Sequence, residues 1–140
     1  MPTVMNTLRR PRRLAPWAAL LALLGTADTY MGCQDAVQAV LRNADIDYSK
    51  RNVLLCHQFI LGCEVCESEE MNIGTLDHID GAVFDGFDYV ALGHIHRPQR
   101  VLRDTLRYAG SPLKYSFSEV SHKKSVTIVD MQEKGEVLVR

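Results

Sequence analysis

The sequence contains no uninterrupted apolar run of the roughly 20 residues that a membrane-spanning helix needs. Its most apolar segment, residues 14–25, follows four arginines, Arg9, Arg10, Arg12 and Arg13. A basic segment before a short apolar run is the layout of a secretory signal, but residues 25–28 form no clean cleavage site, and a buried helix or a non-native extension fits as well. We therefore expect a cytoplasmic protein without membrane association. Secretion is the alternative if residues 1–27 are a signal peptide.

Cysteine is also scarce, with four residues in the chain, of which Cys63 and Cys66 form one C-x-x-C pair. A structural zinc site usually takes four ligands, often from two such pairs. A thioredoxin-type pair is preceded by a strand and followed by a helix, whereas an acidic polar stretch follows Cys66. We predict that both are reduced loop cysteines.

The chain has little net charge, −1 at pH 7, so no overall field attracts it to nucleic acid or to a membrane surface. The charges are unevenly distributed, because residues 64–88 contain eight acids and no base, whereas residues 93–124 contain seven bases and two acids. The second segment could place a basic strip beside a phosphate-bearing substrate. A solvated charged surface is the simpler interpretation.

Apolar residues make up 46% of the 140 positions and charged residues 24%, which indicates one folded domain. Residues 35–42 have helical apolar spacing, and we predict a loop over 61–75 and either a helical turn or a short strand within 76–84. The predicted strands are residues 52–57, 87–92, 106–109, 125–129 and 136–139, of which the first two are buried and the last two form a hairpin around 133–135.

Histidines lie at the ends of both predicted buried strands. His57 ends the first strand, and residues 93–96, Gly-His-Ile-His, directly follow the second. Ligands of α/β sheets bind beyond the carboxyl ends of strands. In an extended segment His94 and His96 point to one side, and Gly93 permits a sharp turn and leaves room beside any metal ions that they bind. Imidazole suits Mn, Fe, Zn or Ni, although the spacing alone favours a metal site no more than an ordinary polar role. His78 and His122, at no strand end, are interpreted as non-ligands.

Three segments, residues 52–59, 87–99 and 108–119, resemble the SbcD family, the nuclease subunits of bacterial SbcC–SbcD DNA repair complexes in the calcineurin-like metallophosphoesterase superfamily. The Gly-His-x-His match is typical of the superfamily, whereas residues 110–119, Gly-Ser-Pro-Leu-Lys-Tyr-Ser-Phe-Ser-Glu, are specific to SbcD. The resemblance divides the chain into an unmatched segment, 1–34, and the C-terminal part of a phosphoesterase domain, 35–140. It implies an α/β fold, part of an α/β/β/α sandwich whose C-terminal half has mixed or antiparallel strands.

The resemblance also implies a function and a ligand set. His57 and His94 would bind one of two Mn²⁺ ions and His96 the other, and such paired ions lie about 3.5–4 Å apart to clamp a phosphate and activate water. The implied activity is exonuclease and endonuclease cleavage of DNA in repair, recombination and replication, with an SbcC-like ABC-type ATPase as partner. The DNA backbone could contact Arg97, Arg100 and Arg103.

The family builds its site from five motifs, and three of them, Asp-x-His, Gly-Asp and Gly-Asn-His-Asp/Glu, have no counterpart in residues 1–34. They would supply the bridging aspartate, an asparagine ligand and the general-acid histidine. Three imidazoles divided between two ions are too few for a stable centre. We therefore expect a truncated, frame-disrupted or split product with weak Mn²⁺ affinity and no nuclease activity alone.

Two other functions stay open at this point. One is a different calcineurin-like phosphoesterase that acts on nucleotides or phosphomonoesters, against which residues 110–119 argue. The other is a non-catalytic fragment that binds a partner through exposed strands, since uncovered sheet edges favour association.

Overall fold

A computed structural model describes residues 32–66 and 78–140. The chain begins there with helix α1, Cys33–Asn43. The largest sheet consists, in spatial order, of strands β1 (Val53–His57), β4 (Tyr89–Gly93), β6 (Arg103–Tyr108) and β5 (Gln99–Val101). The first three are mutually parallel and β5 is antiparallel to β6. The α/β class with a mixed sheet, as predicted from the sequence, is confirmed.

Two small sheets and two short helices complete the described part. Strands β2, Phe59–Ile60, and β3, His78–Ile79, pair in parallel, and strands β7, Val129–Met131, and β8, Val137–Val139, form an antiparallel hairpin. The 3-10 helices are Gly81–Phe84 and Phe117–Glu119. The first is capped by Asp80, whose carboxylate accepts a hydrogen bond from the Ala82 amide at 2.9 Å.

The core lies on one face of the large sheet. Val90 and Leu106 are register partners there, as are Leu92 and Tyr108, and all four are buried. The Tyr108 hydroxyl donates to the Gln58 carbonyl at 2.7 Å and accepts from an amide in β2 at 3.0 Å. This side chain therefore joins the large sheet to the small β2–β3 sheet and fixes the chain just after β1.

Strand β1 is not the buried strand that its apolar sequence predicts. It lies at the edge of the sheet and alternates between exposed and half-buried residues, with Leu55 71% exposed. Leu54 and Cys56 pack against the core, whereas Val53, Leu55 and His57 lie on the opposite face. The prediction holds for β4, where Tyr89, Val90 and Leu92 are buried.

The structure moves several other predicted boundaries. Strand β6 starts at residue 103 rather than 106, β7 starts at 129 rather than 125, and the helix and the hairpin occur where they were expected. The ambiguous segment 76–84 contains both a short strand and a helical turn from residue 78 onward. Strand β5 was not predicted, because Pro98 immediately precedes it.

No helix within residues 32–66 and 78–140 is long and apolar enough to cross a membrane. The apolar run 14–25 and most of the predicted loop 61–75 lie outside the described residues. The proposed boundary at residue 34 falls within α1 and stays a prediction.

Candidate metal centre

The first candidate ligand, His57, ends β1 and lies in register with Gly93 at the end of β4. A Cβ atom added to Gly93 would be only 2.7 Å from His57 Nδ1. Glycine therefore leaves the space that the imidazole of His57 occupies, on the face of the sheet opposite the core. Room beside the metal ions was expected at Gly93 from the sequence, and the imidazole of His57 occupies the space next to this glycine.

The second candidate ligand, His94, carries the sharp turn that was expected at Gly93. Its φ of 103° lies in the left-handed region, which residues with a side chain rarely adopt. Its ring centroid is 5.3 Å from that of His57, nearly perpendicular to it, and 4.6 Å from that of Phe59. The buried side chain of Ile95 anchors the same turn. Strain of this kind costs about 1–3 kcal/mol and concentrates at functional sites.

The third candidate ligand, His96, is oriented by a different part of the chain. Its ring Nδ1 lies 2.9 Å from Glu119 Oε1, and its carbonyl accepts from the Ser111 amide at 3.1 Å and from Lys124 Nζ at 2.9 Å. His94 and His96 were expected to point to one side on the assumption that the segment is extended. The turn at His94 removes that assumption, and Glu119 sets the direction of the His96 ring instead.

Glu119 and Lys124 are site residues that the sequence reasoning missed. The Glu119 side chain is fully enclosed and the Lys124 side chain is 12% exposed, with Nζ 2.7 Å from Glu119 Oε2. Burying an ion pair costs desolvation that such close, hydrogen-bonded geometry offsets. One signal could have revealed the pair: Glu119 is one of only two acids in the basic segment 93–124 and ends the specific stretch 110–119.

Whether the described residues could hold a metal ion depends on how many potential ligands lie close together. His57 and His94 bring two imidazoles side by side, but within residues 32–66 and 78–140 no group of three or more His, Cys, Asp or Glu side chains is arranged to hold an ion. Metal sites in proteins take three or four protein ligands. The described residues therefore do not form a complete metal centre by themselves, and the assignment of the three histidines as ligands stays a prediction.

The three arginines predicted to contact DNA each pair with a carboxylate. The pairs are Arg97 with Glu64, Arg100 with Asp104 at 3.2 Å, and Arg103 with Asp85 at 2.6 Å. Arg103 begins β6 and therefore lies at the opposite end of the parallel strands from His57. Arg97 directly follows the candidate ligands and is half exposed, which makes it the best placed of the three.

The remaining histidines and Cys56 have positions that suit structural roles. His78 packs its ring 5.6 Å from that of Phe59. His122 is buried, and its Nδ1 has no hydrogen-bond partner in the part of the chain that the structure describes. Burial on the core face of β1 raises the pKa of the Cys56 thiol, which favours its protonated form.

Comparison with known proteins confirms the resemblance that the sequence indicated. The chain is 40% identical over 91 residues to the SbcD subunit of the nuclease SbcCD from Staphylococcus epidermidis, and the aligned region covers 64% of this chain and 24% of that protein. The chain thus spans about a quarter of the length of this curated relative. No model of a known protein family matches the chain.

Proposed function

We propose that this chain carries part of the metal-binding phosphodiesterase site of an SbcD-like DNA nuclease. The observation that carries the proposal is the placement of His57 and His94 side by side at the carboxyl ends of two parallel strands, with Gly93 making room between them. The 40% sequence identity with a nuclease subunit over 91 residues supports the proposal.

In this proposal His57 and His94 bind one divalent cation, Mn²⁺ in the first instance, and His96 binds a second. Paired cations polarise a phosphodiester and lower the pKa of bound water. The carboxylate ligands that such a centre needs are not among the described residues, so we propose that the site is complete only with ligands from elsewhere. The chain alone is then inactive and binds Mn²⁺ weakly.

The proposed substrate is DNA, which the complete nuclease would cleave by exonuclease and endonuclease activity during repair and recombination. The proposed location is the cytoplasm, and the proposed partner is an SbcC-like ATPase. Arg97 is the residue we propose for contact with a backbone phosphate, because it directly follows His96 in the chain. Its ion pair with Glu64 is solvent-exposed, with side-chain exposures of 48% and 68%. Exposed pairs contribute little, so a phosphate can replace the carboxylate.

The test uses substoichiometric Mn²⁺ and the ring proton signals of the five histidines. Paramagnetic broadening detects weak binding, so it applies even if the site is incomplete. We expect the signals of His57 and His94 to broaden first, and the substitution His94→Asn to remove the broadening of His57. His78→Asn, which changes a histidine outside the proposed site, is the matched control.

Uniform broadening of all five histidines would contradict the proposal, as would broadening that His94→Asn leaves unchanged. A nicking assay on supercoiled plasmid with Mn²⁺ accompanies the titration, and we expect no cleavage by the chain alone. Efficient turnover would show that the described residues belong to a complete site, contrary to the second part of the proposal.

The alternative functions are separated by two further measurements. Hydrolysis of a phosphomonoester but not of a phosphodiester would favour the other phosphoesterase. The non-catalytic alternative has one specific observation in its favour, the exposed edge strand β1 with Leu55 on its surface. If it is correct, Leu55→Lys changes the apparent size of the protein in solution.

A further inference from the structure

We propose that Glu119, held by Lys124, is the positioning residue that fixes the tautomer of His96, with the proton on Nδ1 and the lone pair on Nε2. The inference rests on the proposed function, because it matters for catalysis only if His96 binds a metal ion. Neither Glu119 nor Lys124 would itself contact the substrate or the metal.

The contact between Glu119 and His96 determines where the ring proton lies. A carboxylate only accepts hydrogen bonds, and Glu119 Oε1 lies 2.9 Å from His96 Nδ1. The neutral ring must therefore carry its proton on Nδ1, because a lone pair there would face the lone pairs of the oxygen. Metal-binding histidines almost always donate their second ring N–H in this way, which orients the ring and raises its basicity.

The other carboxylate oxygen of Glu119, Oε2, already accepts a hydrogen bond from Lys124. Lys124 Nζ lies 2.7 Å from Glu119 Oε2 and also donates to the His96 carbonyl at 2.9 Å and to Ser111 Oγ at 2.8 Å. An ammonium group can only donate. Lys124 therefore requires an acceptor opposite it, which Oε2 provides. This arrangement leaves Oε1 directed at His96.

The path of the chain after Gly110 explains how Glu119 comes to face the ring of His96. Gly110 has a φ of 78°, and a Cβ atom there would be 2.8 Å from the His96 carbonyl oxygen and 2.6 Å from Pro98 Cδ. Residues after Gly110 thus start in direct contact with the backbone of His96. The 3-10 helix Phe117–Glu119, capped by Ser116, then returns the carboxylate of Glu119 to the ring.

The substitution Glu119→Gln makes a sharp prediction. Its amide has one oxygen and one NH₂ group, and the oxygen must face Lys124, because two donors would otherwise oppose each other. The NH₂ group then faces His96 Nδ1, which must become the acceptor. The ring proton moves to Nε2. A side chain of the same size in the same place therefore reverses the tautomer.

The experiment measures the ¹⁵N shifts of the His96 ring by long-range ¹H–¹⁵N correlation in the full chain, at an alkaline pH of about 8.5. Metal is removed with a chelator beforehand. Loss of the signal in His96→Asn assigns the resonance. We expect a pyrrole-type Nδ1 and a pyridine-type Nε2, and the two types exchanged in Glu119→Gln. The matched control is Glu133→Gln, an exposed residue before the β7–β8 turn, which should change nothing.

Two results would overturn the inference. A pyridine-type Nδ1 in the unsubstituted protein does so even if Glu119→Gln does not fold, and an unchanged pattern in a folded Glu119→Gln does so as well. A residue that merely supported the fold would shift the melting temperature without exchanging the nitrogens. Because no metal is present, failure of Mn²⁺ binding would affect the proposed function and leave this measurement intact.

Discussion

Replacing Gly93 by alanine tests the arrangement of the two adjacent histidines directly. The added Cβ atom would lie 2.7 Å from His57 Nδ1 and 3.4 Å from Cε1. Non-bonded heavy atoms come to rest near 3.5 Å, so the ring has to retreat by about 0.8 Å. Gly93 does not have a left-handed φ, so alanine introduces a steric effect without backbone strain.

The expected cost in stability is small and the expected effect on the site is large. His57 is exposed and its ring can rotate away, at the cost of a displaced rotamer, about 0.5–1.5 kcal/mol. The ring then no longer faces His94 at the present 5.3 Å. Disturbed ligand orientation typically weakens metal binding by roughly 10–100-fold, and we expect a loss in this range for Mn²⁺.

The measurements are thermal unfolding, the histidine ring proton shifts and a Mn²⁺ titration. Gly86→Ala is the matched control, because its Cβ would lie 2.6 Å from Tyr48 Cε1, again beside an exposed ring, but away from the histidines. It should lower stability to a similar degree and leave Mn²⁺ broadening unchanged. A folded Gly93→Ala protein with unaltered His57 shifts and unaltered Mn²⁺ broadening would refute the reasoning.

Three further predictions concern the stability of the fold. Because His94 has a φ of 103°, His94→Gly should be more stable than His94→Ala by about 1 kcal/mol in chemical denaturation, and the reverse order would show that the turn is not strained. Tyr108→Phe leaves a buried carbonyl and amide unsatisfied and should cost about 1–3 kcal/mol; a neutral effect would contradict the role of this hydroxyl. Burial raises the pKa of Asp88, but hydrogen bonds from Lys134 and two backbone amides hold it below the ordinary 3.8. Its stabilisation is therefore present above the unfolded pKa and declines as pH falls through the lower folded pKa, so Asp88→Asn should reduce the loss of melting temperature that occurs as pH falls below about 4.

Local sequence patterns predicted the elements that carry the candidate site. The apolar runs before His57 and before residues 93–96 are strands, and their parallel pairing brings the two histidines together, as the location of ligands at strand ends suggests. Helical spacing located α1, and Gly135, with a φ of 87°, marks the turn between β7 and β8. The strands, the helix and the turn depend on neighbours within a few positions in the chain, so the sequence contains them directly.

Other properties of the site depend on residues far apart in the chain. The apolar sequence of β1 does not reveal that, within residues 32–66 and 78–140, this strand has a single neighbour in the sheet, because burial is set by which strands pack beside it. The ion pairs of Arg97 and Arg103 join each arginine to a carboxylate that lies 33 and 18 positions away in the chain, respectively. A basic segment in a sequence does not show which of its charges are already compensated.

The Gly-His-Ile-His segment shows the division most clearly. Its sequence determined that a strand ends there, that two imidazoles follow and that the chain resembles a nuclease subunit. Tertiary structure decided that the strained turn falls on His94 and that the His96 ring is held by Glu119, 23 positions later. The reason is physical: the direction of an imidazole depends on the acceptor that faces it, and only the folded chain brings that acceptor into place.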